Sequence, residues 1–185
     1  MENKKRISSE ERYHLFACTV TAVMTALSVV LERFLSVNTT VFKIGLAFVP
    51  IALVAILFGP LYSLLAGCMT DLVGAILFPT GVFFPGFTVT AALCGFCYGL
   101  FLYRAYEKKH LFWRVLIPAL INNLIFGLLI NTLWISLYFS PKGYWQLFIS
   151  RLLTQYAFLI PMNLILIPVL IRVCRGLSSR IPERK

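Results

Sequence analysis

The sequence predicts an all-α membrane bundle of six transmembrane helices with both termini in the cytoplasm. The 60 residues from Ile44 to Tyr103 contain a single formal charge, Asp71. That run far exceeds the ~20 apolar residues one membrane-spanning helix needs. Hydrophobic residues make up 59% of the 185 and the mean hydropathy is +0.85, which leaves no segment for a soluble catalytic domain. The apolar runs are continuous rather than alternating, which excludes a β-barrel.

The chain reads as a single integral membrane domain over 1–185, with spans near 13–35, 44–58, 61–78, 87–103, 112–139 and 145–172. The first follows basic residues, as a signal peptide would. Its apolar run is long, however, and Glu32-Arg33-Phe34 follows in place of a small-residue cleavage site, so it is expected to be retained. It carries Ala22 and Ala26, four apart on one helix face. Such a pair permits close approach of another helix, and on spacing alone internal packing is the simpler reading. The polar segment Ser36–Lys43 reads as a non-cytoplasmic loop. The second span is short, and Pro50 is expected to bend it. Gly59-Pro60 separates it from the third span, which holds Gly67, Asp71 and Gly74. The uncharged, aromatic connection Phe78–Phe87 is rich in turn residues. The fourth span has Gly95 and Gly99 in Gly-x-x-x-Gly spacing, the fifth includes Asn122, Asn123, Asn131 and Trp134, and the sixth includes Arg151, Gln155 and Asn163.

The net charge of +10 points to topology rather than to nucleic acid. Thirteen of the 17 basic residues fall before the first span, in or flanking the fourth-to-fifth connection, or at and after the end of the sixth. Alternating helices put all three places on one side, the cytoplasmic one by the positive-inside rule. Arg33, Lys43, Lys142 and Arg151 lie toward the other side.

The chemistry of catalysis is poorly represented. The phosphate-loop pattern of nucleotide hydrolases is absent, and His14 and His110 lack metal-ligand spacing. Cys94-Gly-Phe-Cys97 has the spacing of a redox or metal pair, but it lies in an apolar helix and reads as small packing residues. Asp71 has no second intramembrane carboxylate for a proton relay.

What remains is a polar set toward the outer half of the bilayer: Arg33, Asp71, Thr88, Asn131, Trp134, Arg151 and Gln155, beside Phe83, Phe84 and Phe87. Charges at that depth are costly unless paired or facing a wet cavity. One reading is a structural ion pair of Asp71 with Arg33 or Arg151. The other is an outward-facing pocket for a flat polar ring carrying negative charge. Aromatic residues would sandwich the ring, amides and Asp71 would bond its edge, and Arg33 and Arg151 would meet its carboxylates.

The segment Thr21–Phe34 resembles the first helix of the substrate-binding S components of energy-coupling-factor vitamin transporters. The stretch from Asp71 through Phe78-Pro79-Thr80-Gly81-Val82-Phe83-Phe84-Pro85-Gly86-Phe87-Thr88 to Gly99-Leu100-Phe101 resembles the folate-specific branch of that family. The resemblance implies a multi-pass cell-membrane subunit that captures folate from outside. It also implies docking, through Ala22 and Ala26, on a transmembrane coupling subunit driven by two ATPase subunits. ATP would be hydrolysed by those partners, and this chain would need no cofactor. Within that reading Arg33 and Arg151 favour the anionic tail of folate, and Asp71 or Gln155 bonds the pterin edge. The alternatives are an S component for thiamine, riboflavin or pantothenate, an unrelated small carrier, or a lipid-modifying enzyme.

Overall fold

The computed structural model describes residues 9–38, 43–79, 83–107, 109–138, 143–153 and 157–177. They form a helical bundle, as the sequence predicts. In chain order the elements are α1 (Ser9–Phe34), strands β1 (Val37–Asn38) and β2 (Lys43–Ile44), α2 (Phe48–Phe58), α3 (Pro60–Leu77) and α4 (Pro85–Leu102). A short 3-10 turn (Ala105–Glu107) leads to α5 (Leu111–Leu120), a π-helix (Ile121–Ile130), α6 (Asn131–Tyr138), α7 (Tyr144–Arg151) and α8 (Ala157–Leu177). The strands are two-residue arms pairing Val37 with Ile44 and Asn38 with Lys43, antiparallel.

Among the described residues five helical stretches are long and apolar enough to cross a membrane: Ser9–Phe34, Pro60–Leu77, Pro85–Glu107, Leu111–Tyr138 and Ala157–Gly176. The sixth helix of the bundle, α2, has only 11 residues. At 1.5 Å per residue it reaches about half of the ~30 Å hydrocarbon core. It packs against α1, α3, α4 and α8, and Ala52, Val54, Ala55 and Ile56 are fully buried. Pro50 does not bend it, contrary to the sequence expectation. This proline occupies the first turn of α2, where a backbone N–H would have no acceptor within the helix. At the other end Gly59 takes φ 88° and ψ −165°, which glycine adopts without strain, and Pro60 opens α3 at its first position.

The most intimate contact joins α3 to α4. A Cβ on Gly67 would run into the Ala91 carbonyl, one on Gly95 into the Ser63 carbonyl, and one on Gly99 into the backbone of Pro60. The Gly-x-x-x-Gly spacing of α4 is thus used inside the chain, against α3. Lipid tails are as apolar as the side chains, so this approach is stabilised by dispersion rather than by hydrophobic burial.

The predicted fifth span falls on three consecutive pieces. Pro118 inside α5 withholds one backbone donor, and the chain then winds as a π-helix before returning to α-helix at Asn131. Buried polar side chains tie this irregular stretch to its neighbours. The Asn122 amide donates to the Cys94 carbonyl at 3.1 Å, and the Tyr98 hydroxyl in α4 donates to Asn163 Oδ1 in α8 at 2.7 Å. Around them Ile56, Leu102, Val115, Ile167 and Ile171 form the largest buried apolar cluster.

A larger side chain at Gly95 should therefore force α3 and α4 apart. Gly95→Val is expected to lose about 1–3 kcal/mol by overpacking. Gly176→Ala, whose added methyl meets nothing within 4 Å inside α8, should not be destabilising. Thermal unfolding of both variants in detergent tests the contact, and equal midpoints would contradict it.

Candidate functional site

The polar set predicted from sequence gathers at one end of the bundle, where α1 and α3 finish and α4 begins. Arg33, in the last turn of α1, lays its guanidinium on Gly74. A Cβ there would lie 2.9 Å from both Nε and Nη2. Gly74 is three residues past Asp71, so the cation seats on the face of α3 that carries the carboxylate. Across the tight α3–α4 contact, the buried Thr88 hydroxyl donates to Asp71 Oδ2 at 2.6 Å. The glycines of the lower helix pair make this bond possible, because they set the helix separation one to two turns away.

An aromatic wall stands beside this bond. Phe84 precedes the first turn of α4 and meets Phe87 edge-on at 5.8 Å, the Trp134 ring at 5.2 Å and the Tyr138 ring at 4.6 Å. Gly86 lets the wall close, since a Cβ there would strike the Phe84 ring and lie 3.0 Å from Trp134 Cε2. Phe83 is half exposed.

Two hydrogen-bonding atoms on α6 belong to this wall. Asn131 Oδ1 and Trp134 Nε1 are both buried, and neither has a hydrogen-bond partner among the described residues. They sit one turn apart on one helix face. A buried acceptor and a buried donor without partners each cost about 1–3 kcal/mol.

Beyond them, Arg151 closes the set. It is 4% exposed, and its Nη1 donates to Thr132 Oγ1 at 3.1 Å. The structure thus shows three separate contacts among these residues: Arg33 on Gly74 beside the Asp71–Thr88 bond, the rings around Phe84, and Arg151 on Thr132. Gln155 lies outside the described residues.

Sequence reasoning missed Thr132, Tyr138, Gly74 and Gly86. Tyr138 was recoverable from its spacing four residues after Trp134, and Gly74 from its place one turn after the lone acid. Thr132 carried no such signal, because its partner lies 19 residues away.

Ala22 and Ala26 lie elsewhere, on the outward face of α1, and both are exposed. The small residues of α1 that pack inward are Ala17 and Ser28, each 0% exposed, with the Ser28 hydroxyl donating to the Ala47 carbonyl at 2.8 Å. Internal packing is therefore not what Ala22 and Ala26 provide.

An apolar helical bundle that gathers polar and aromatic side chains near one end suits a multi-pass membrane protein that handles a small molecule. The chain belongs to the family described as ECF transporter, substrate-specific component, which matches residues 16–171. It is thus a multi-pass transporter subunit and not an enzyme. It is 36% identical over 146 residues, 79% of this chain and 82% of the relative, to the Folate transporter FolT of Clostridium novyi (strain NT). To the Folate transporter FolT of Leuconostoc mesenteroides it is 31% identical over 169 residues, 91% of this chain and 88% of that one. Among solved structures it resembles that of FolT bound with folic acid. The TM-score is 0.76 at 30% identity, covering 84% of this chain and 92% of the other.

The geometry separates a side chain whose hydrogen bond is made from one whose donor is left over. Thr88→Val removes the donor to a partly buried carboxylate and should destabilise the protein by about 1–3 kcal/mol. Trp134→Phe removes a buried N–H that no described residue accepts, so relief of that unpaired donor should offset the smaller ring and the protein should be destabilised less than by Thr88→Val. Thermal unfolding without ligand distinguishes the two, and a large loss in Trp134→Phe would show that the indole N–H is structural.

Proposed function

We propose that this chain is the folate-capturing subunit of an ECF-type importer. It takes the vitamin from outside and delivers it by docking on an ATP-driven coupling complex. The observation that carries the reading is the orphaned pair Asn131 Oδ1 and Trp134 Nε1, set in an aromatic wall between Asp71 and Arg151. A pterin is flat, presents donors and acceptors along its edge, and suits stacking against Phe84 and Phe87. The glutamyl tail of folate is anionic, which suits Arg33 and Arg151. The names of the two relatives, and the folic acid in the similar solved structure, support folate over thiamine, riboflavin or pantothenate.

In this reading both termini and the Ala105–Trp113 connection are cytoplasmic, by the thirteen-to-four basic asymmetry, and the recess opens outward. The exposed Ala22–Ala26 face meets the coupling subunit, and the two ATPase subunits of the complex supply the energy.

Binding of purified protein to folic acid, thiamine, riboflavin and pantothenate tests the assignment directly. Folate alone should bind tightly, and preference for another vitamin would replace it. Trp134→Phe should weaken folate binding about tenfold by losing one hydrogen bond in a dry site.

Docking has its own test. Ala22→Trp and Ala26→Trp should keep folate affinity and lose co-purification with the coupling complex, because a bulky ring holds the partner helix away. Retained co-purification would move the docking face elsewhere.

A further inference from the structure

We infer that Thr132 is a positioning residue, one that aims the Arg151 guanidinium at the negative charge of the ligand and so sets selectivity for an anionic tail. This inference rests on the folate reading of the same site.

Hydroxyls buried in apolar helices ordinarily satisfy themselves on their own backbone. Thr70 donates to the Ala66 carbonyl at 2.7 Å, Thr90 to Gly86 at 2.8 Å and Ser63 to Gly59 at 2.9 Å. Thr132 is 0% exposed, yet its oxygen accepts a hydrogen bond from the side chain of another helix, at 3.1 Å from Arg151 Nη1. Thr132 is spent on a cation that is itself 4% exposed. A neutral hydroxyl can orient a guanidinium and does not itself neutralise it.

The positions of the two residues support the same role. Thr132 is the second residue of α6, immediately after the π-helix ends at Ile130. Arg151 is the last residue of α7, and Leu152 and Leu153 wind as π-helix after it. Each partner therefore sits where a helix changes winding, which is where side-chain direction is least determined by regular periodicity. The hydrogen bond ties the two junctions together. Asn131, next to Thr132, carries the orphaned amide oxygen, so the same turn of α6 places one ligand-facing acceptor and one support for the cation.

The test compares folic acid with its bis-amide, in which both glutamyl carboxylates are primary amides, on wild type, Thr132→Val and Thr132→Ser. Wild type should prefer folic acid. Thr132→Val should lower that preference about tenfold by weakening folic acid binding while leaving the bis-amide nearly unchanged, and Thr132→Ser should restore it. Because both ligands are measured on one preparation, the ratio is independent of the folded fraction. Thr132→Ala supplies the same comparison if valine is not accommodated. Equal weakening of both ligands, or an unchanged ratio, assigns Thr132 a purely structural role and overturns the inference. Wild type that binds both ligands equally well overturns it too while leaving folate capture standing. Wild type that binds neither removes the functional reading beneath it.

Discussion

The closeness of α3 and α4 is the constraint on which the polar end of this bundle depends. Gly67, Gly95 and Gly99 leave no side chain between the two backbones. In water such a contact would be reinforced by hydrophobic burial, but in lipid only dispersion and hydrogen bonding favour it, so shape must be supplied by residue size. The consequence is felt two turns away, where Thr88 reaches Asp71 at 2.6 Å. A carboxylate in a bilayer is tolerated when its hydrogen bonds are made, and the glycines are what bring the donor within range.

The other half of the site is built on departures from regular helix. Pro118, the π-helix Ile121–Ile130 and the α-helical restart at Asn131 shift the phase of the side chains. The face of α6 that carries Asn131, Thr132 and Trp134 is therefore turned away from the direction that a uniform 3.6-residue period drawn from the start of α5 would give it. The regular helix pair thus supplies rigidity and the irregular span supplies direction.

How much of this was legible in the sequence depends on the distance over which each feature is encoded. The helical bundle was plain from uncharged runs, because each span must satisfy its own backbone. Asp71 stood out as the lone charge in its region, and Arg151 by its depth. The aromatic wall was half visible in Phe83, Phe84 and Phe87, which cluster in sequence. The bond between Thr132 and Arg151 was not, since it depends on two changes of winding that hydropathy does not register. Pro50 misled for a related reason. Whether a proline bends a helix depends on where the helix begins, and α2 begins only two residues earlier. The outward direction of Ala22 and Ala26 was equally hidden, because spacing says that two residues share a face and not which way that face looks.

The shortness of α2 bears on how the protein is made. Its 11 residues cover only part of the hydrocarbon thickness, so as a lone segment it would leave a backbone end in lipid with unsatisfied polar groups. Gly59 and Pro60 turn the chain directly into α3, and α1, α4 and α8 enclose what remains. Such a helix enters the bilayer as one arm of a hairpin rather than as an independent unit. It reaches its final surroundings only when α8, close to 100 residues further along the chain, has been synthesised. The burial of this half-span thus draws on helices from both ends of the chain, which ties its place in the bilayer to the folding of the bundle.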